Sequence, residues 1–338
     1  MATGMLTVTG KLDTSQFWPT GRSDADTVKV AVSATSFTFT PDPKKQKAKA
    51  TTVFQGAQVQ GKGKTPAIKN GSITIRLQGI DATELHYAAT LPKHGAKAPF
   101  KNNGTFFRQF FGETATTKLH DLMAKAGRSP VDCKVVTRVD RPNDVFDTFG
   151  RFIGNVVVSI GGKDVDANLW LAENGWAFPT FYNSMSAKEI SDVLTRCNAA
   201  RRAKKGIWPR LMSHVGQLNL GMTERKNVKT FDPKKDVGPD MMPKIFRRLV
   251  RFTVSQENNL FTGDFRSFLG SQSDPFMLLK DFLKNPAAKA PGKSTPNGNL
   301  ESRFSPQEVF QDLPGDLVFF EQPSTLIDGK GNKITKWF

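Results

Sequence analysis

Two periodicities and one change of composition place this chain of 338 residues in the α+β class. Apolar and polar residues alternate through 5–12, 27–40, 72–80, 132–139 and 152–160, as in strands with one buried face. Between and after these segments, apolar residues step at helical intervals in three places. Past residue 210 the chain turns polar and turn-rich, then apolar again. Five strands before and between three helices suit a small OB-type β-barrel with the helices packed at its side and end. The remainder suits a smaller C-terminal α+β module. The resulting division is a barrel domain over 1–210, a linker over 211–242 and the module over 243–338.

Each element has its own signal. Thr27-Val28-Lys29-Val30-Ala31-Val32 and Ser36-Phe37-Thr38-Phe39-Thr40 alternate cleanly. Residues 41–70 are rich in Lys and Gly, with Lys44, Lys45, Lys47, Lys49, Lys62, Lys64 and Lys69 against one acid, Asp42. They read as a solvated hairpin or loop, with a basic arm along a phosphate backbone as the functional alternative. Ser72-Ile73-Thr74-Ile75-Arg76-Leu77 is the clearest strand and runs straight toward Asp81. A long loop over 86–104 carries Lys93, His94, Lys97 and Lys101. Phe106, Phe107 and Phe110 read as packing beneath that loop, with base contact as the alternative.

Phe111, Ala115, Leu119, Leu122 and Ala126 then share one helix face, and Gly127 marks its end. The strand over 152–160 closes at Gly161-Gly162. A helix over 164–174 ends at Gly175. Ser186-Ala187-Lys188-Glu189 is a capping box opening a helix through Ile190, Val193, Leu194 and Cys197. In the C-terminal part, Ile245, Phe246, Leu249 and Val250 mark a helix or strand. Asp274-Pro275 reads as an N-cap and first-turn proline. A Pro/Gly/Lys linker covers 286–299, a short helix follows Ser305-Pro306, and strands are expected at 317–320 and 334–338.

Composition narrows the function. A formal net charge of +17 and a pI near 9.9 favour an anionic partner, nucleic acid or an acidic membrane surface. The two cysteines, Cys133 and Cys197, cannot build a disulfide framework or a structural zinc cluster. Cys197 reads as a small buried hydrophobe. The four histidines show no ligand spacing. The N-terminal residues lack the basic and apolar regions of a Sec signal peptide, and no run of about 18 apolar residues marks a membrane span. The expected location is therefore cytoplasmic, or outside the cell by a leaderless or machine-dependent route.

Three short stretches hold two arginines and five carboxylates in an order suited to a metal-dependent phosphodiesterase. They are Asp24-Ala25-Asp26-Thr27-Val28-Lys29, Arg76-Leu77-Gln78-Gly79-Ile80-Asp81-Ala82-Thr83-Glu84 and Asp147-Thr148-Phe149-Gly150-Arg151. Hydrolysis of a phosphodiester requires masking its charge, positioning a water and stabilising the leaving oxygen. Hard oxygen ligands, guanidinium forks and a spare carboxylate supply those functions.

These stretches also carry a resemblance. Together with Phe111-Gly112-Glu113-x-Ala115, Asn168-Leu169 through Gly175, and the final Ala-Lys-Lys helix ending Gly206-Ile207-Trp208, they occur in the order found in the staphylococcal nuclease (thermonuclease) family. The resemblance covers most of residues 1–210. It implies that Asp26 and Asp81 bind Ca²⁺ with the backbone carbonyl of Ala82, and that Asp24 partners the metal's waters. It implies that Arg76 and Arg151 bind the scissile phosphate, and that Glu84 orients or deprotonates the attacking water. The implied activity is endo- and exonucleolytic cleavage of DNA and RNA to 3′-phosphate products.

The chain departs from the family's pattern in several places. Thr83 stands where a proline is usual, and Thr148-Phe149 where Lys-Tyr is usual. Phe181 and Tyr182 are approximate counterparts of two nucleotide-contacting tyrosines, and the loops 41–70 and 86–104 are longer. Phe149, Tyr182, Lys93 and Lys97 are the expected substrate contacts, with ordinary packing the alternative for Phe149. Two other functions stand beside the nuclease: a non-catalytic OB-fold nucleic-acid binder, and a nuclease acting as a toxin or defence effector. The C-terminal module would then serve targeting, delivery or binding of a protein partner.

Overall fold

The computed structural model describes residues 4–89, 106–211, 224–225, 238–284, 298–303, 314–321 and 324–338. Five strands close into a barrel: β1 (Gly4–Leu12), β2 (Thr27–Ala31), β3 (Ser72–Leu77), β4 (Val131–Val139) and β5 (Phe152–Ile160). Around the barrel the order is β1-β2-β3-β5-β4, and β4 returns to β1 along nine residue pairs. Every neighbouring pair is antiparallel except β3 with β5, which run parallel. Inward positions alternate along the strands, with Leu6, Val8, Val28, Val30, Ile73, Ile75, Val135, Phe152 and Val156 all buried. The alternation expected from sequence thus becomes a closed interior with no open edge.

Helix α1 (Gly112–Ala126) buries Ala115, Leu119, Leu122 and Met123 against this barrel, and Gly127 forms its C-cap. Helix α2 (Ala167–Glu173) is shorter than expected. Lys163–Asp166 is a strand pairing with β5, and the Asp166 carboxylate caps the N–H groups of Asn168 and Leu169. Helix α3 (Ala187–Arg202) opens on the expected capping box, in which the Ser186 N–H donates to Glu189 Oε2 at 2.8 Å. Cys197 is buried on its apolar face.

The lysine-rich segment after β2 is more than a solvated loop. Its lysines are exposed, yet Phe54, Ala57, Val59 and Ala67 lie in the main core. Gln58–Gln60 and Lys64–Pro66 form a hairpin, and the first of these strands also pairs with Thr325–Ile327 near the C-terminus. The apolar residues among the lysines decide this, because they need a partner surface that a free loop would not give.

Helix α4 (Pro243–Glu257) buries Ile245, Phe246, Leu249, Val250 and Val254 in a second core, shared with Phe107 of the barrel domain and Phe276 and Phe319. The helix expected from Asp274-Pro275 through Phe276, Leu279, Phe282 and Leu283 starts later, over Leu279–Lys284. Pro275–Leu278 is a strand pairing with Leu317–Phe319, and the Asp274 carboxylate receives Arg248 and Lys244. The strand expected at 334–338 is also replaced: Thr325–Ile327 forms the strand, and the tail folds back over the barrel. There Trp337 stacks on Phe39 at 3.9 Å, and its indole N–H donates to the Asp140 carbonyl at 2.7 Å. Leu317–Phe319 pairs in parallel with Phe181–Tyr182 as well. Most of the expected linker, and the helix expected after Ser305-Pro306, lie outside the described residues.

Candidate active site

The site forms where one end of β2, β3 and β5 lies side by side. Strand register sets Thr27 opposite Arg76 on one side and Ile153 beside Arg76 on the other. Asp26, at the start of β2, and Arg151, just ahead of β5, therefore flank Arg76 despite their separation in sequence. After β3 the chain turns at Gly79, whose φ of +80° suits glycine. It enters the short strand Ile80–Ala82, which pairs with Ala177–Pro179 and carries Asp81.

Arg76 bridges two carboxylates. Its Nη1 lies 2.5 Å from Asp26 Oδ2 and its Nη2 2.6 Å from Asp81 Oδ1. Asp26 is fixed further by the Ala82 N–H, which donates to Oδ2 at 2.8 Å, and by the Thr27 hydroxyl at 3.1 Å. Arg151 is oriented by Asp147: its Nε donates to Oδ2 at 2.7 Å, and its Nη1 reaches the Thr27 hydroxyl at 3.4 Å. Asp147 Oδ1 also accepts the N–H groups of Phe149 and Arg151, which folds 147–151 into a tight turn closing at Gly150, φ +81°.

Glu84 is positioned through its backbone. Its N–H donates to Gln109 Oε1 at 3.2 Å, and its carbonyl accepts the Gln109 N–H at 2.9 Å. Gly112 at the start of α1 presses on the same segment; a Cβ there would lie 2.6 Å from the Glu84 carbonyl oxygen. The motif Phe111-Gly112 thus has a local reason, because only a residue without a side chain lets α1 approach the Glu84 loop so closely.

Burial and mutual repulsion set the electrostatics. Asp26 and Glu84 are less than a tenth exposed, and Asp81 is fully buried. Burial raises the Asp26 carboxyl above its ordinary value; Arg76 opposes this, and Asp81 and Asp24 add to it. Burial pushes Glu84 up to about 8 against the pull of a second guanidinium, Arg247. Asp81 moves the other way, since Arg247 and Arg76 together outweigh its burial and hold it below the usual carboxylate range.

Arg247 was not among the residues expected here. It comes from α4, far along the chain, and its Nη2 donates to Asp81 Oδ2 at 3.0 Å while Nη1 donates to Glu84 Oε1. A sequence signal for it exists, although it is easily missed. Lys244, Arg247, Arg248 and Arg251 recur at i, i+3, i+4 and i+7, one stripe of a helix whose other face is apolar.

Of the remaining expected residues, Asp24 accepts the Leu85 N–H at 2.8 Å, which ties the start of β2 to the Glu84 segment. Phe149 is 58% exposed beside Arg151, whose guanidinium lies 5.5 Å from the ring centroid. Tyr182 is half-buried within electrostatic reach of Arg76. Lys93 and Lys97 lie outside the described residues. Phe106 packs with Trp18 and Leu85, Phe107 is buried, and Phe110 lies 4.0 Å beneath the Arg210 guanidinium.

The donor set is compatible with a hard dication. Asp26, Asp81 and the Ala82 carbonyl offer only oxygen, and the repulsion among the buried carboxylates is what a cation would relieve. The Thr83 hydroxyl, fully buried between Ala82 and Glu84 in sequence, has no hydrogen-bond partner. Among the described residues no group of three or more His, Cys, Asp or Glu side chains could hold a metal ion. A metal here would complete its shell with backbone oxygen, water or substrate.

A closed OB-type barrel with two arginines set against buried carboxylates at one end defines a nuclease-like or nucleic-acid-binding domain. Residues 74–210 match the family model of the staphylococcal nuclease homologues, and the chain carries a domain of that family. Strands β1 and β2, which supply Asp24 and Asp26, precede the matched stretch yet complete its barrel. Comparison with curated proteins finds no match. No helix among the described residues is long and apolar enough to cross a membrane.

Proposed function

We propose that the protein is a Ca²⁺-dependent nuclease that hydrolyses phosphodiester bonds of DNA and RNA to 3′-phosphate products. The observation that carries this reading is the convergence of Arg76, Arg151, Asp26, Asp81 and Glu84 on one end of the barrel. Asp26 and Asp81, with the Ala82 carbonyl, would hold the ion. Bound there, Ca²⁺ would neutralise phosphate charge as a Lewis acid.

The chain's own residues do the rest. Arg76 and Arg151 offer forked donors for the nonbridging oxygens of the phosphate, where charge grows in the transition state. Arg151, aimed by Asp147 through its Nε, keeps its Nη groups for the substrate and would assist the leaving 5′ oxygen. Glu84, buried and raised to about 8, is a stronger base than an ordinary carboxylate, and its ionised form, whose share grows as pH rises toward 8, suits abstraction of a proton from a water. Gln109 and Gly112 fix the Glu84 backbone. The Asp147 brace, which fixes Arg151 beside Thr27, favours the enzyme.

The test is cleavage of single-stranded DNA, duplex DNA and RNA with Ca²⁺, with Mg²⁺ and with chelator, alongside Glu84→Ala. The expected outcome is Ca²⁺-dependent cleavage leaving 3′-phosphate ends and lost in the variant. Binding without cleavage under every metal would replace the enzyme with a nucleic-acid-binding protein.

A further inference from the structure

Helix α4 lies outside the matched family segment, and its two long faces differ sharply. Ile245, Phe246, Leu249, Val250 and Val254 point into the second core. Lys244, Arg247, Arg248 and Arg251 form the stripe at i, i+3, i+4 and i+7, and Arg247 anchors that stripe at Asp81 and Glu84. From i to i+7 a helix rises about 10 Å, roughly the axial run of four consecutive phosphates on one strand of a duplex.

The stripe has a counterpart across the site. Lys62, at the turn of the 58–66 hairpin, places its ammonium 4.4 Å from the Phe149 ring centroid, and Arg151 overhangs the same ring. Burial lowers the Lys62 pKa, and Arg248, Arg251 and Lys244 lower it further, so these cations lie within electrostatic reach of one another. Asp274 accepts Arg248 through two bonds of 2.6 and 2.7 Å and meets Lys244 at 3.1 Å. One carboxylate thus pairs with two of these four cations. Arg251 is half-buried, its Nε has no hydrogen-bond partner, and burial and Arg248 depress its pKa. Like charges fixed this close repel unless a polyanion lies among them. One exposed ring, Phe149, lies beside Lys62, while the buried Phe319 supports Lys244 from 4.2 Å beneath.

We propose that Lys244, Arg248 and Arg251 of α4, together with Lys62, form a phosphate-binding rail that holds the nucleic-acid backbone beside the scissile position. The proposal rests on the nuclease reading of the adjacent site, and it gives the C-terminal region a role in substrate grip. Nucleic acid is favoured over an acidic protein because the stripe begins at the phosphodiester site itself and the exposed Phe149 ring beside Lys62 offers a face on which a base stacks.

The test is binding of a fluorescein-labelled single-stranded oligonucleotide in chelator, read by anisotropy as a function of KCl. Each phosphate contact contributes about 0.7 to the log–log salt slope on single strands. Lys62→Gln combined with Arg251→Gln should therefore flatten the slope by about 1.4 and weaken low-salt binding about tenfold. Arg251→Lys should keep the wild-type slope. Should the double variant unfold, Lys62→Gln alone, on an exposed hairpin, should still flatten it by about 0.7.

An unchanged slope in a folded variant, or equal loss in Arg251→Lys, overturns the rail. Displacement of the oligonucleotide by polyaspartate at matched charge reassigns the rail to an acidic protein and overturns the nucleic-acid assignment. Cleavage assays on the same proteins separate the two levels. Wild type that binds and cleaves with unchanged slopes in the variants removes only the rail, whereas wild type that does neither removes the nuclease reading and the rail with it.

Discussion

Arginine, at the residue scale, does two different jobs in this site. Arg76 and Arg151 lie at barrel strand ends and, on the proposed nuclease reading, would offer forks to a phosphate. Replacing either by Ala should lower the cleavage rate about a hundredfold or more, the scale of losing one transition-state donor. Single-turnover kinetics on both variants would check this, and full activity in both would remove them from the chemistry. Arg247 instead pairs with Asp81 and Glu84, groups a cation would otherwise neutralise. Arg247→Ala should tighten Ca²⁺ binding, measured by calorimetry, because a competing positive charge is gone. The same change should destabilise the metal-free protein by about 3 kcal/mol, since it leaves Glu84 buried without its guanidinium while Asp81 keeps only Arg76. Weaker Ca²⁺ binding together with unchanged metal-free melting would show that Arg247 is not their counter-charge.

At the scale of the element, α4 is clamped as well as charged. Asp274, almost fully buried, receives Arg248 and Lys244, and these outweigh burial to hold its carboxyl well below the usual range. A depressed carboxylate contributes stability that is fully present above its unfolded pKa of about 3.9 and is lost as pH falls toward the folded value. Unfolding free energy should therefore drop as the pH is lowered through 4, and Asp274→Asn should be less stable at neutral pH with a flatter acid limb. Chemical denaturation as a function of pH reads this directly. Parallel acid limbs in the two proteins would mean that another group governs the decline. The loss of an expected helix N-cap at Asp274 has the same cause. A carboxylate holding two cations on α4 leaves the following backbone free to pair as a strand with Leu317–Phe319.

At the scale of the whole molecule, the C-terminal region is stitched into the barrel at several points. Thr325–Ile327 extends the hairpin of the lysine-rich segment, and Leu317–Phe319 pairs with Phe181–Tyr182. Trp337 closes over Phe39 and Phe54, while the Trp337 carbonyl accepts the Thr51 hydroxyl at 3.0 Å. Trp337→Ala should cost about 3–5 kcal/mol, as for other buried tryptophans. Denaturant unfolding would measure it, and a cost under about 1 kcal/mol would mark the tail as peripheral to the fold. The barrel was legible in sequence because each of its strands alternates over several residues, a local pattern that needs no partner to be seen. The pairing of the C-terminal segments was not, because two- and three-residue strands carry too few positions for a period to emerge.

The sequence by itself determined the barrel's strands, the capped helices and the set of carboxylates and arginines at their ends, because periodicity and short-range motifs encode these locally. Only the tertiary structure decided that Arg247 reaches Asp81 and Glu84, that a basic stripe on α4 comes within electrostatic reach of Lys62, and that Trp337 completes the core. These contacts join residues far apart along the chain. What selects them is the burial of apolar faces and the pairing of charges left unsatisfied nearby, and both depend on the assembled surface.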